Sequence, residues 1–80
     1  MPSTISIRLL GPGREPQVLN VEADEQIVAW KGRMFAEEIR EGRRITIVHF
    51  GQRLPDNISF RYAGVRDGDV IHCRLYLQTA

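Results

Sequence analysis

The sequence predicts a small α+β domain in which a mixed sheet of four to five strands packs on one central helix. Near the amino terminus, two short runs of alternating apolar and polar residues flank a turn rich in Gly and Pro. A segment with apolar residues at helical spacing follows, and runs rich in β-branched residues close the chain. One amphipathic helix among several strands needs a sheet face to cover, and it covers only one.

Ile5-Ser6-Ile7-Arg8-Leu9 alternates with period two, the pattern of a half-buried strand. Gly11-Pro12-Gly13-Arg14-Glu15-Pro16 supplies turn residues. Strand character resumes from Val18 to Val21, with Leu19 and Val21 on one face, so the two strands form a hairpin. Asp24 is placed to cap a helix, and Glu25 suits the positive end of its dipole. Ile27, Trp30, Met34 and Phe35 recur at i, i+3, i+7 and i+8, which predicts one helix from Asp24 to about Ile39. Gly32 weakens that helix by roughly 1 kcal/mol relative to Ala, and Gly42 is its stop.

Arg43 to Phe50 reads as a strand, Gly51 breaks it, and Gln52-Arg53-Leu54 returns. Pro55-Asp56-Asn57 is a turn, and Ser59 to Tyr62 holds one helical turn. Gly64 to Asp69 is a second turn region, and Val70 to Leu77 is the last strand. The order β-β-α-β-β-turn-β is a β-grasp layout.

The chain has 80 residues, which makes one domain over 1–80. A domain of this size buries roughly 60% of the surface of its unfolded chain, with no room for both a core and a deep pocket. A net charge of +1 carries no overall basic pull, yet of the 11 cations only Lys31 is not Arg. One cysteine excludes an internal disulfide and a multi-Cys metal site. It suits a reducing compartment; a cytoplasmic location, or the cytosolic face of the ER membrane for a chain anchored elsewhere, and a monomer are expected. The apolar runs are far shorter than the ~20 residues that cross a bilayer, and MPSTISIRLLG lacks the layout of a signal peptide. Membrane attachment is therefore expected only through segments outside this chain, which reads as a domain excised from a longer protein.

Few residues invite chemistry. Val70, His72 and Arg74 share one strand face and Ile71, Cys73 and Leu75 the other, so neighbouring His72 and Cys73 point apart. Cys73 reads as a small apolar core residue. His49 and His72 lack a carboxylate or thiol to complete a metal site. Gly11-Pro12-Gly13 is followed by neither Gly-Lys-Ser/Thr nor a helix, so it is no phosphate loop. Glu37, Glu38 and Glu41 read as a solvated face. No catalytic residue, cofactor, metal or small-molecule substrate is expected, and the chain is expected not to be an enzyme. Arg8, Arg14, Arg53, Arg61, Arg66 and Arg74, with the cluster Arg40, Arg43 and Arg44, leave binding of nucleic acid or anionic lipid as an alternative. Against it, acidic residues nearly balance them and no aromatic platform interleaves.

Three local patterns carry a family resemblance. Ile47-Val48-His49-Phe50-Gly51-Gln52-Arg53-Leu54 is similar to the strand and turn LIF-x-G-x-x-L. Phe60 to His72 is similar to the ending L-x-x-x-G-I-x-D-G-D-x-L-H. Ile27, Trp30 and Met34 fall where the same family puts its helix core. Together they resemble a ubiquitin-like domain from Ile5 to the carboxy terminus. The resemblance implies that Ile71 and Cys73 face the core, that Trp30 packs with Ile71, and that the last strand is central. It also implies a contact between Lys31 and Asp56.

The resemblance further implies recognition by protein partners of the ubiquitin/proteasome system, including ER-associated degradation. The family's patch maps onto Pro12, Val48, Gly51, His72 and Arg74, an exposed apolar spot on the sheet face opposite the helix. Val48 would be its β-branched knob, and Gly51 and His72 match ubiquitin. Pro12 and Arg74 depart from the pattern. Arg74 puts a charge where helical ubiquitin-binding motifs meet apolar surface, which implies a partner with both apolar and acidic side chains. A modifier or sulfur carrier is the alternative, but it needs a terminal Gly-Gly where this chain has Gln78-Thr79-Ala80. Ile71-His72-Cys73 is also similar to membrane-anchored ubiquitin-like proteins of the ER degradation machinery, and adaptor proteins carrying such a domain fit as well.

Overall fold

The computed structural model describes residues 3–11, 13 and 15–77. Its elements are β1 (Thr4–Leu10), β2 (Gln17–Glu22), α1 (Ile27–Met34), α2 (Ala36–Arg40), β3 (Arg43–His49), β4 (Gln52–Arg53) and β5 (Asp69–Leu77). The strands form one sheet in the order β2-β1-β5-β3-β4. β1 and β5 run parallel and all other neighbours antiparallel, so the sheet is mixed and β5 is its middle strand. This α+β β-grasp arrangement is the one the element order predicts.

Alternation sets the core. Ile5, Ile7 and Leu9 of β1, Ile45 and Ile47 of β3, and Ile71 and Cys73 of β5 all face inward. Ile27, Trp30 and Phe35 close over them, and Phe60 and Val65 fill one end. Trp30 lies edge-on to Phe60 at 5.3 Å and to Phe35 at 6.0 Å between ring centroids. Such aromatic pairs stabilise beyond their buried area. Trp30 and Ile71 belong to the same buried cluster.

The helix differs from the single segment expected. It starts at Ile27 rather than Asp24, and no side chain caps it. Backbone carbonyls do so instead: Ile27 N–H donates to Ile58 O and Val28 N–H to Asp56 O. Asp24 pairs with Arg61, and Glu25 with Arg33. The helix then breaks at Phe35 (φ −119°, ψ 34°) before α2. In an unbroken helix, side chains five positions apart point roughly 140° away from each other. The break lets both Trp30 and Phe35 enter the core, and Phe35 rather than Met34 is the fully buried one.

Two turns position the central strand. Ser59 Oγ accepts from Tyr62 N–H, and Ala63 N–H donates to Ser59 O, which makes one helical turn. Gly68 (φ 88°) then donates its N–H to Ser6 O, while Asp67 Oδ1 accepts from Ser6 N–H. The Asp67-Gly68 turn is thereby fastened to β1 just before β5 begins.

Candidate functional site: the outer sheet face

The sheet face turned away from the helices is built by strand parity. Residues directly opposite each other in a ladder share a face. Val48 pairs with His72 on one side and Arg53 on the other, Leu10 with His72, and Thr46 with Arg74. Arg8 lies beside Val70 and Val18, and Arg44 beside Tyr76. Leu10, Gly11, Val48, Gly51, His72, Cys73 and Arg74 line an open depression of about 510 Å³.

Four of the residues singled out from sequence, Val48, Gly51, His72 and Arg74, thus meet at one depression. Pro12 lies outside the described residues, as do Arg14 and the terminal Gln78-Thr79-Ala80 on which the diglycine argument bore. Val48 is not the exposed knob the resemblance implies. It is only 8% exposed, because its cross-strand neighbours are the long side chains of His72 and Arg53. The exposed apolar surface on this face comes instead from Val18 (72% exposed), Val70 and Tyr76.

Charge is the more distinctive property. Lys31, Arg33, Arg43 and Arg61 each have a carboxylate partner. Arg8, Arg40, Arg44, Arg53, Arg66 and Arg74 are exposed and have none within ion-pair distance among the described residues. Four of these six, Arg8, Arg44, Arg53 and Arg74, belong to the outer face. The carboxylate that parity places there, Glu22, sits on the edge strand β2 and accepts from Thr4 Oγ1. A near-neutral chain therefore carries a basic sheet face. Of the four, the resemblance assigned only Arg74 to the patch, and the others were named from sequence only among the scattered cations of the phosphate-binding alternative. Arg8, Arg44 and Arg53 join it only once the register is known, although the alternation of Ile5 to Leu9 already put Arg8 opposite the buried set.

The histidines and the cysteine separate as strand parity requires. His72 is exposed on the outer face, whereas Cys73 is a buried, reduced member of the core. Gly11 covers Cys73 so closely that a Cβ at Gly11 would stand 2.3 Å from Sγ. His49 lies on the opposite side of the sheet from His72, buried, with Nε2 at 2.8 Å from Asp69 Oδ2. The same Asp69 oxygen accepts the Arg66 N–H, and that bond, ahead of the one to His49, holds the Asp69 carboxyl below its ordinary pKa. Phe50 follows, with its ring 4.4 Å from the imidazole and 78% exposed. Its φ is 50°, a conformation unusual for a bulky residue. Nothing in its sequence context had marked Phe50. Among the described residues no cluster of potential metal ligands occurs, and no helix is long and apolar enough to cross a membrane.

A mixed sheet with a central closing strand and one broken helix across its inner face defines a ubiquitin-like β-grasp domain. Solved structures agree with that class. The chain superposes on Caldiarchaeum subterraneum ubiquitin with a TM-score of 0.74 at 20% identity, covering 96% of this chain and 99% of that one. The UBL domain of Plasmodium falciparum Dsk2 gives 0.70 at 25% identity, over 91% and 99%. A chain of the MycP5-free ESX-5 inner membrane complex gives 0.78 at 15% identity, covering 99% of this chain but 22% of that longer one. No protein-family model matches the chain, and no curated protein sequence does.

Proposed function

We propose that this chain is a non-catalytic protein-interaction module whose outer sheet face is read by a partner carrying acidic and apolar side chains. The observation that carries this reading is the set Arg8, Arg44, Arg53 and Arg74, unmatched by carboxylates on a single face. Unpaired surface arginines favour encounter with an acidic surface and fix its orientation. Val18, Val70 and Tyr76 beside them supply apolar area. The likeness to ubiquitin and to a UBL domain supports a partner in the ubiquitin/proteasome system. It also supports a cytoplasmic site, or the cytosolic face of the ER membrane for a chain anchored elsewhere. The likeness to part of an inner-membrane-complex chain supports such a domain being carried by a longer protein.

Amide-resolved NMR titration tests the reading with two synthetic helices of the same apolar face, one flanked by Asp and Glu and one by Ser. The acidic helix is expected to bind more tightly, to shift the amides of Val48, His72 and Arg74, and to weaken with added salt. Arg74→Glu is expected to abolish its advantage. Equal binding of the two helices would refute the electrostatic reading.

The same arginines favour a second reading, binding of phosphate on nucleic acid or anionic lipid. Tyr76 beside Arg44 adds an exposed aromatic ring to that face. An oligonucleotide and a phosphatidylserine vesicle assayed at two salt concentrations separate the readings. Phosphate binding falls steeply with salt, whereas binding that rests partly on apolar contact falls less.

A further inference from the structure

Gly32 is the glycine the fold does not explain. Of the seven glycines, Gly13, Gly42, Gly51, Gly64 and Gly68 adopt positive φ, and Gly11 is held bare by Cys73. Gly32 sits inside α1 with ordinary helical geometry, and a Cβ there would meet nothing within 4 Å. Glycine is the poorest interior helix former after proline. A Cβ would fit at this position, so the bare backbone of Gly32 is open surface that the fold itself does not use.

The surroundings of Gly32 suggest a use for it. It lines a groove of about 290 Å³ together with Val28, Lys31, Ile39, Arg43, Arg44, Ile45 and Asp56. Val28 lies one helical turn before Gly32 on the same side of α1, away from the buried Ile27 and Trp30. Val28 is 46% exposed and Ile39 is 45% exposed, so two aliphatic side chains flank the gap. Three cations and one carboxylate line the groove. Lys31 is committed to Asp56 at 2.7 Å and to Ile45 O at 2.8 Å, and Arg43 to Glu41 at 3.7 Å, while Arg44 has no carboxylate among the described residues.

We propose that this groove is a second docking site, at the sheet edge, which borrows Arg44 from the outer face but shares no residue with the depression lined by Val48, His72 and Arg74. It takes one large apolar side chain of an acidic segment from another protein. That side chain lies over the bare backbone of Gly32, between Val28 and Ile39. The flanking carboxylates of the segment meet Arg44 and Arg43. Close approach of a ligand to backbone is a recurrent use of glycine, and charge complementarity selects an acidic segment over a basic or neutral one.

Selection from a displayed random dodecapeptide library on the whole chain tests the proposal, with the Gly32→Trp chain for counter-selection. Enriched peptides are expected to carry a long aliphatic or aromatic residue next to Asp or Glu. One such peptide, synthesised, is expected to shift the amides of Val28, Gly32, Ile39 and Arg43. Gly32→Trp should weaken its binding by roughly tenfold or more, about 1.4 kcal/mol per tenfold. Gly32→Ala is the second variant: it should raise the melting temperature and still weaken binding several-fold. Arg74→Glu should leave this binding unchanged, so failure of the sheet-face reading and failure of this one are told apart. The proposal is overturned if no peptide is enriched, if enriched peptides lack acidic residues, or if they bind both Gly32 variants as well as the unsubstituted chain. It is equally overturned if light scattering finds self-association that Gly32→Trp abolishes, since the groove then belongs to a second copy. Groove-dependent binding of phosphatidylserine vesicles with no acidic peptide enriched would also overturn it.

Discussion

His49 and Asp69 are joined across adjacent central strands by a 2.8 Å contact between Nε2 and Oδ2, with the histidine ring buried. Asp69 opens β5 and also accepts the Arg66 N–H, so one carboxylate ties the turn, the central strand and β3 together. Where a helix or strand end is buried, its polar groups need such partners.

The first prediction concerns acid. The Asp69 carboxyl has its pKa lowered, mainly by the Arg66 N–H and then by His49. A carboxylate with a depressed folded-state pKa stabilises the fold above its unfolded value, and the stabilisation disappears as pH falls through the folded value. Asp69→Asn is therefore expected to cost about 1–2 kcal/mol near neutral pH, the range for hydrogen bonds to a charged group that are partly kept. The gap to the unsubstituted chain should narrow once pH drops below ~3.9, the ordinary carboxylate value. Urea midpoints measured across that range check it. A gap that stays constant would show that the charge of Asp69 contributes nothing.

The second prediction concerns the cover over the cysteine. A methyl group at Gly11 would sit 2.3 Å from Cys73 Sγ. Overpacking of this kind costs about 1–3 kcal/mol, so Gly11→Ala is expected to lower the denaturation midpoint accordingly. Cys73→Ala removes the clashing atom at the expense of a small cavity. In a double-mutant cycle the pair is therefore expected to be less destabilising than the sum of the singles. Strict additivity would mean that the loop carrying Gly11 simply moves aside.

Most of the architecture was legible because strand parity and helical spacing are local. Ile5, Ile7 and Leu9 share one buried face as their alternation demanded, and Ile71 and Cys73 face the core as the resemblance implied. The resemblance also carried the Lys31–Asp56 contact, which forms at 2.7 Å. What failed depended on tertiary competition. Asp24 is a sound cap by type, but Arg61 lies close enough to take its carboxylate, and the carbonyls of Ile58 and Asp56 are already at the helix start. The break at Phe35 follows from two aromatics competing for one core, which spacing alone does not announce. At the outer face the resemblance implied an exposed Val48, and it carries a position over without saying what lies above it in this chain, where Val48 is buried. The basic character of that face was hidden in a near-neutral composition, since Arg8, Arg44, Arg53 and Arg74 come from four different strands.

The third prediction follows from the least expected residue. Phe50 holds φ at 50° with its ring 78% exposed and set against His49, while the next residue, Gly51, lines the outer-face depression. A backbone in this region costs roughly 1–2 kcal/mol for a residue with a Cβ, and glycine removes that cost. Glycine in turn gives back about 0.5–1 kcal/mol through the freer unfolded chain, and the ring contact with His49 is lost. Phe50→Gly is therefore expected to leave stability within about 1 kcal/mol of the unsubstituted chain, while weakening binding of an acidic, apolar helix at the outer face by loosening the backbone of Gly51, which lines it. Denaturant titration and the NMR titration, run on the same variant, separate the two effects. If Phe50→Gly instead destabilises the fold by more than about 2 kcal/mol and leaves binding intact, the ring serves to clamp His49 and does not hold the outer face for a partner.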